Sequence, residues 1–119
     1  MMRSVLTAFA LAIALAGIVP AGAQTPMSKI ADGRGTALKV CASCHVVVSD
    51  QVQPPTLKPP APPFAEIAAR PNATEASLRD FLTKPHGEAR GLSAMPGFLM
   101  PSRQADAIIA YLMSLKPKK

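Results

Sequence analysis

The sequence contains no tryptophan, one tyrosine, two cysteines and two histidines among its 119 residues. A structural zinc site needs four N or S ligands, and beyond Cys41, Cys44 and His45 only His86 remains as an ordinary extra one. Past residue 23 the aromatic residues are only Phe64, Phe81, Phe98 and Tyr111. They are not interleaved with basic runs, so the stacking platforms of single-strand binding are missing. Lysines and arginines are scattered until Lys116-Pro117-Lys118-Lys119, and nucleic acid is not expected as a partner. β-Branched residues run together only at Val46 to Val48, too short and isolated to start a sheet. A thioredoxin-like pair of thiols would need a βαβ context that this pattern lacks.

Long apolar runs are also scarce. The single one, Val5 to Val19 (VLTAFALAIALAGIV), follows Arg3 and is closed by Pro20 and the small residues Ala21-Gly22-Ala23. It is shorter than the roughly 20 residues that span hydrocarbon. Residues 1–23 are therefore expected to be a signal peptide cleaved near Ala23, leaving residues 24–119 as one periplasmic domain. Export places both thiols in an oxidising space, where cysteines are usually paired or otherwise occupied. Without Arg3 the chain keeps twelve basic against seven acidic residues, a formal charge of +5. A domain of this size with so few large apolar side chains is marginal on its own core and commonly relies on a staple, a metal or a cofactor.

The remaining pattern is helical. Ser28 to Cys44 predicts a helix leading into the cysteines, with Gly33 and Gly35 better explained by close packing than by local preference. Ser49 to Pro63 (SDQVQPPTLKPPAPP) carries six prolines and predicts a stiff loop wrapped on the same core. Phe64 to Arg70 predicts a short helix that stops before Pro71. Thr74 reads as the N-cap of the next, with Leu78, Phe81 and Leu82 on one face and a stop at Pro85. His86 to Met100 is glycine-rich and aperiodic, suited to draping over something. Ala105, Ile108, Ile109, Leu112 and Leu115 recur at helical spacing and predict a last helix with one apolar stripe. The fold class is all-α, helices joined by long loops.

Cys41-Ala42-Ser43-Cys44-His45 is where chemistry concentrates. Cys-x-x-Cys-His is the attachment signature of haem c. Two intervening residues on a helical turn place both thiols along one edge of the macrocycle, and the next residue points under its centre.

With GRGTALKVCASCH, APPFAEIAA, AMPGF and AIIAYLMSL, nearly all of the chain past residue 23 resembles the small class I c-type cytochromes exported by bacteria. The resemblance implies an all-α class I cytochrome c fold around one covalently attached haem c, carrying one electron at a time and performing no catalysis. It implies that Cys41 and Cys44 form the thioethers, that His45 is the proximal ligand, and that a proline carbonyl accepts from the other ring N–H. Pro62 is the expected acceptor and Pro63 its alternative. Met95 is the expected distal ligand, with Met100 and His86 as competitors. Phe64, Leu78, Phe81, Leu82, Phe98 and Leu112 are expected to shield the group from water. Gly33 is expected to let the first helix cross the last beside Ile108 and Tyr111, and Ala37 stands where many relatives carry an aromatic residue.

Redox donor and acceptor proteins are the expected partners, acidic ones steered by lysines such as Lys39, Lys58 and Lys84. Membrane contact would come only through a partner complex. A cytochrome subunit held in a dehydrogenase or oxidase complex, and a haem sensor or enzyme with a labile distal ligand, stay open as alternatives.

Overall fold

The structure is a computed structural model that describes residues 25–84, 95 and 99–118. The expected leader, His86 and Phe98 lie outside the described residues. Among the described residues four helices follow in order: α1 (Pro26–Val40), α2 (Phe64–Ala69), α3 (Glu75–Thr83) and α4 (Ser102–Ser114). Among the described residues there is no strand, only an isolated bridge between His45 and Ala61.

Helix α1 begins before its apolar pattern does. Thr25 caps it by accepting the Ser28 N–H, and Pro26 occupies the first turn, where a missing N–H costs nothing. It also ends earlier than the pattern predicts, at Val40 and not Cys44. Cys41 is the C-cap, and the N–H groups of Cys44 and His45 both turn back onto its carbonyl at 3.1 and 2.9 Å. Residues 41–45 are thus a closed turn set on the end of a helix.

The other boundaries follow local chemistry. Helix α2 stops at Ala69 because Pro71 forces Arg70 into an extended conformation, φ −65° and ψ 139°. Thr74 caps α3 through a reciprocal box with Ser77. In α4 most of the predicted stripe is buried: Ala105, Ile108, Ile109 and Leu112 face the core, joined by Tyr111, while Leu115 is the C-cap and half-buried.

The core is built where α1 crosses α4. A side chain at Gly33 would collide with the Ala107 carbonyl, and Ala37 beside it is fully buried. The two backbones are therefore about as close as helices can come. Only one of the two glycines serves this purpose, since a Cβ at Gly35 would meet nothing within 4 Å. Helix α3 lies against α4 from the other side, with an exposed Arg79–Asp106 ion pair between them. Such a pair adds little to stability.

The proline-rich segment 49–63 folds back onto the 41–45 turn, with the Thr56 and Leu57 N–H groups on the Ser43 carbonyl and the Ala61 N–H on that of Cys44. Just before it, Val47 is 2% exposed and its carbonyl accepts the Tyr111 hydroxyl of α4 at 2.9 Å. Burial raises the Tyr111 hydroxyl above its ordinary pKa, an effect opposed by nearby Arg34 and reinforced by Asp50.

Gly33→Ala is expected to destabilise the protein by about 2–3 kcal/mol through overpacking at the crossing. Gly35→Ala should be neutral or stabilising by up to about 1 kcal/mol, because the helix gains propensity at no steric cost. Guanidinium unfolding of both variants checks the contrast.

Candidate functional site

A cavity of about 710 Å³ opens beside the 41–45 turn. Cys41, Cys44 and His45 form one wall, Leu57, Ala61 and Pro62 of the wrapped loop a second, and Ile67, Ala73, Leu78 and Phe81 a third. Met95 also lines it. The elements that meet here are distant in sequence, and the core crossing is what brings them together.

His45 is buried at 9% exposure, and its orientation is set from two sides. Nδ1 lies 2.7 Å from the Pro62 carbonyl oxygen. A carbonyl only accepts, so Nδ1 carries the proton, and in the neutral ring Nε2 is left with its lone pair. Phe64 meets the imidazole edge-on, with ring centroids 5.7 Å apart and planes at 69°. Tyr111 in turn backs Phe64 at 6.3 Å. The alternative acceptor, Pro63, has its carbonyl occupied by the Ile67 N–H at 3.0 Å, the bond that starts α2.

Both cysteines are free thiols on the cavity wall, Cys41 buried and Cys44 half-buried. Burial pushes the Cys41 thiol up to about 11, and the neighbouring Cys44 adds to the rise. Catalytic redox thiols work as thiolates and sit where their pKa is lowered. Cys41 has the opposite environment.

The two methionines considered as ligands are separated by the fold. Met95 is half-buried and borders the cavity. Met100 is 5% exposed, packs in the core, and does not border it; its N–H points to the Leu82 carbonyl at 3.4 Å. The competitor His86 lies outside the described residues.

The residues expected to exclude water divide into two groups. Leu78 and Phe81 line the cavity, and Phe81 is 46% exposed. Phe64, Leu82 and Leu112 are buried in the core behind. Phe98 lies outside the described residues.

Several lining residues escaped the sequence reading. Leu57 is the one large apolar residue between two pairs of prolines, a signal in plain view. Arg70, Asn72 and Ser77 add polar groups to a largely apolar lining, and no periodicity marks them. Arg70 pairs with Glu66 at 3.0 Å. Apolar walls with a few polar groups suit a flat, amphipathic molecule.

Comparison with known proteins agrees with this geometry. The family model described as cytochrome c matches residues 30–116. The chain is similar to cytochrome c-552 of Bradyrhizobium diazoefficiens, 36% identical over 85 residues that cover 71% of this chain and 73% of the relative. No solved structure matches the chain significantly.

Tyr111→Phe keeps the ring that backs Phe64 but leaves the buried Val47 carbonyl without its donor. A loss of about 1–2 kcal/mol in unfolding free energy is expected, measured by denaturant titration.

Proposed function

This chain belongs to the cytochrome c family, and on that premise we propose that it is a periplasmic carrier of single electrons with His45 and Met95 as axial ligands. The family's cofactor is covalently attached haem c, and the residues around the cavity fit it. Two thiols and an imidazole share one wall, a thioether borders the same space, and the lining is mostly apolar. The observation that carries the reading is the His45 ring, whose Nδ1 proton is committed to Pro62 while the cavity beside it holds both cysteines.

Haem c supplies the one-electron couple of its iron. The chain's own residues do the rest. Cys41 and Cys44 would anchor the group through thioethers, and His45 would offer Nε2 to the metal. The Pro62 bond holds the proton on Nδ1 and raises the basicity of the other nitrogen. Met95 would supply the second axial atom, a thioether that favours the reduced state relative to a second imidazole. Leu57, Leu78 and Phe81 line the cavity and would keep water from the bound group, which would disfavour its more highly charged oxidised state.

Were His45 and Met95 both to ligate the metal, no coordination site would be left for a substrate, which supports a carrier over an enzyme.

Export rests on the leader read in residues 1–23. Among the described residues no helix is long and apolar enough to cross a membrane. Lys39 and Lys58 are exposed and Lys84 pairs with Asp80 at 2.8 Å, so the first two are the stronger candidates for steering an acidic redox partner. Association with such a partner is expected to slow roughly tenfold between about 10 mM and 500 mM salt.

Expression with periplasmic haem maturation tests the main reading. Colour should survive acid–acetone extraction, and the intact mass should exceed the polypeptide by one haem; a colourless product of bare polypeptide mass would overturn it. Met95→Ala should change the visible spectrum and let the reduced protein bind carbon monoxide. Met100→Ala should leave the spectrum in place and cost about 2–5 kcal/mol of stability as a core truncation.

A further inference from the structure

The carbonyls of the 41–45 turn form the frayed end of a helix, where orphan acceptors normally turn to water. Here each one from Cys41 to Cys44 has a protein donor. Cys41 takes the N–H groups of Cys44 and His45. Ser43 accepts from the Thr56 and Leu57 N–H groups at 2.9 and 3.2 Å and from the Thr56 hydroxyl at 3.1 Å. Cys44 accepts from the Ala61 N–H at 2.9 Å. The Ala42 carbonyl is the exception in kind, because its donor is a side chain, Gln51 Nε2 at 3.3 Å.

That side chain does more than fill a vacancy. Gln51 Oε1 accepts the Val47 N–H at 2.9 Å, and its Nε2 also donates to the Gln53 carbonyl at 2.7 Å. All three contacts agree on one orientation of the amide, since an N–H needs the oxygen and two carbonyls need the nitrogen. Gln51 therefore joins Ala42, three residues before His45, to Val47, two residues after it. The Val47 carbonyl, in the next peptide group, is held by the Tyr111 hydroxyl.

We propose that Gln51 is the positioning residue for the His45 ligand, closing a ring of backbone around it. The inference rests on His45 being an iron ligand. Pro62 holds one nitrogen of the imidazole and Phe64 meets its edge. The backbone at the ring is held by the His45 N–H on the Cys41 carbonyl and by the Ala61 and Phe64 N–H groups on the Cys44 and Val46 carbonyls. Gln51 adds the link from Ala42, before the ring, to Val47, after it, and bonds that hold a ligand from behind tune it without touching the metal.

The test uses the holoprotein. Gln51→Leu keeps the approximate size and deletes all three hydrogen bonds, while Thr56→Val deletes one bond from the same loop and spares Val47 and Ala42. Haem-methyl resonances of the oxidised protein report the imidazole plane. Gln51→Leu should redistribute them and shift the reduction potential, and Thr56→Val should leave both in place. A wild-type pattern and potential in Gln51→Leu would overturn the proposal, whatever stability that variant lost. Equal shifts in both variants would overturn it too, in favour of general loosening of the loop.

Should Gln51→Leu fail to assemble, the wild-type protein decides. Its Gln51 amide protons should exchange at least about 100-fold more slowly than those of exposed Gln104, and equal exchange rates refute the clip. The ligand reading itself is judged separately, by whether wild-type oxidised protein shows the strongly shifted resonances of an iron-bound imidazole.

Discussion

The structure depends on one close approach, the crossing of α1 over α4 at Gly33. Backbone meets backbone there with no room for a methyl group. Because the crossing is tight, the far end of α1 is fixed relative to α4, and the 41–45 turn sits on that end. The same crossing sets Tyr111 where it reaches Val47, just beyond the turn. Small residues at the contact, Gly33 and Ala37, do what large ones do elsewhere in cores: they determine the distance, and the distance determines what the next segment can touch.

From that frame the chain builds its site by supplying donors and acceptors in the right order. Between Pro54 and Pro63 only Thr56, Leu57, Lys58 and Ala61 keep an N–H, and three of these four, Thr56, Leu57 and Ala61, donate it to the turn. Pro62 contributes the complementary group, a carbonyl with no N–H of its own, and it meets the His45 ring. Stiff backbone suits this task because proline has already lost the freedom that a flexible loop would have to give up on ordering. The result is a buried imidazole with one nitrogen committed to the Pro62 carbonyl.

Two free thiols, an oriented imidazole and a thioether around one largely apolar cavity are consistent with the family to which the chain belongs. Burial of Cys41 gives its thiol the opposite of a redox nucleophile's environment. The proposed carrier role needs little else from the protein. Electron transfer requires that the surroundings change little between two charge states, and a cavity lined by a hydrogen-bonded turn on the end of α1 and by a proline-stiffened loop is well suited to changing little.

Much of this was legible in the residues alone. The Cys-x-x-Cys-His spacing named the attachment chemistry, the apolar stripe named α4, and Thr74 named the start of α3, because each is a local rule in which neighbours along the chain are neighbours in space. Pattern alone does not distinguish Gly33 from Gly35, since which face of α1 meets α4 is not a local property, and it is the family resemblance that singles out Gly33. The same holds for Met95 and Met100, one bordering the cavity and the other packed in the core, and for Pro62 and Pro63, where the start of α2 uses up the second carbonyl. Helix α1 stopped short of the cysteines because the turn closes on the Cys41 carbonyl and the wrapped loop satisfies the carbonyls that follow. Sequence determined which groups were available; only tertiary structure decided which of two equivalent candidates met its partner, because that choice depends on distances between segments far apart along the chain.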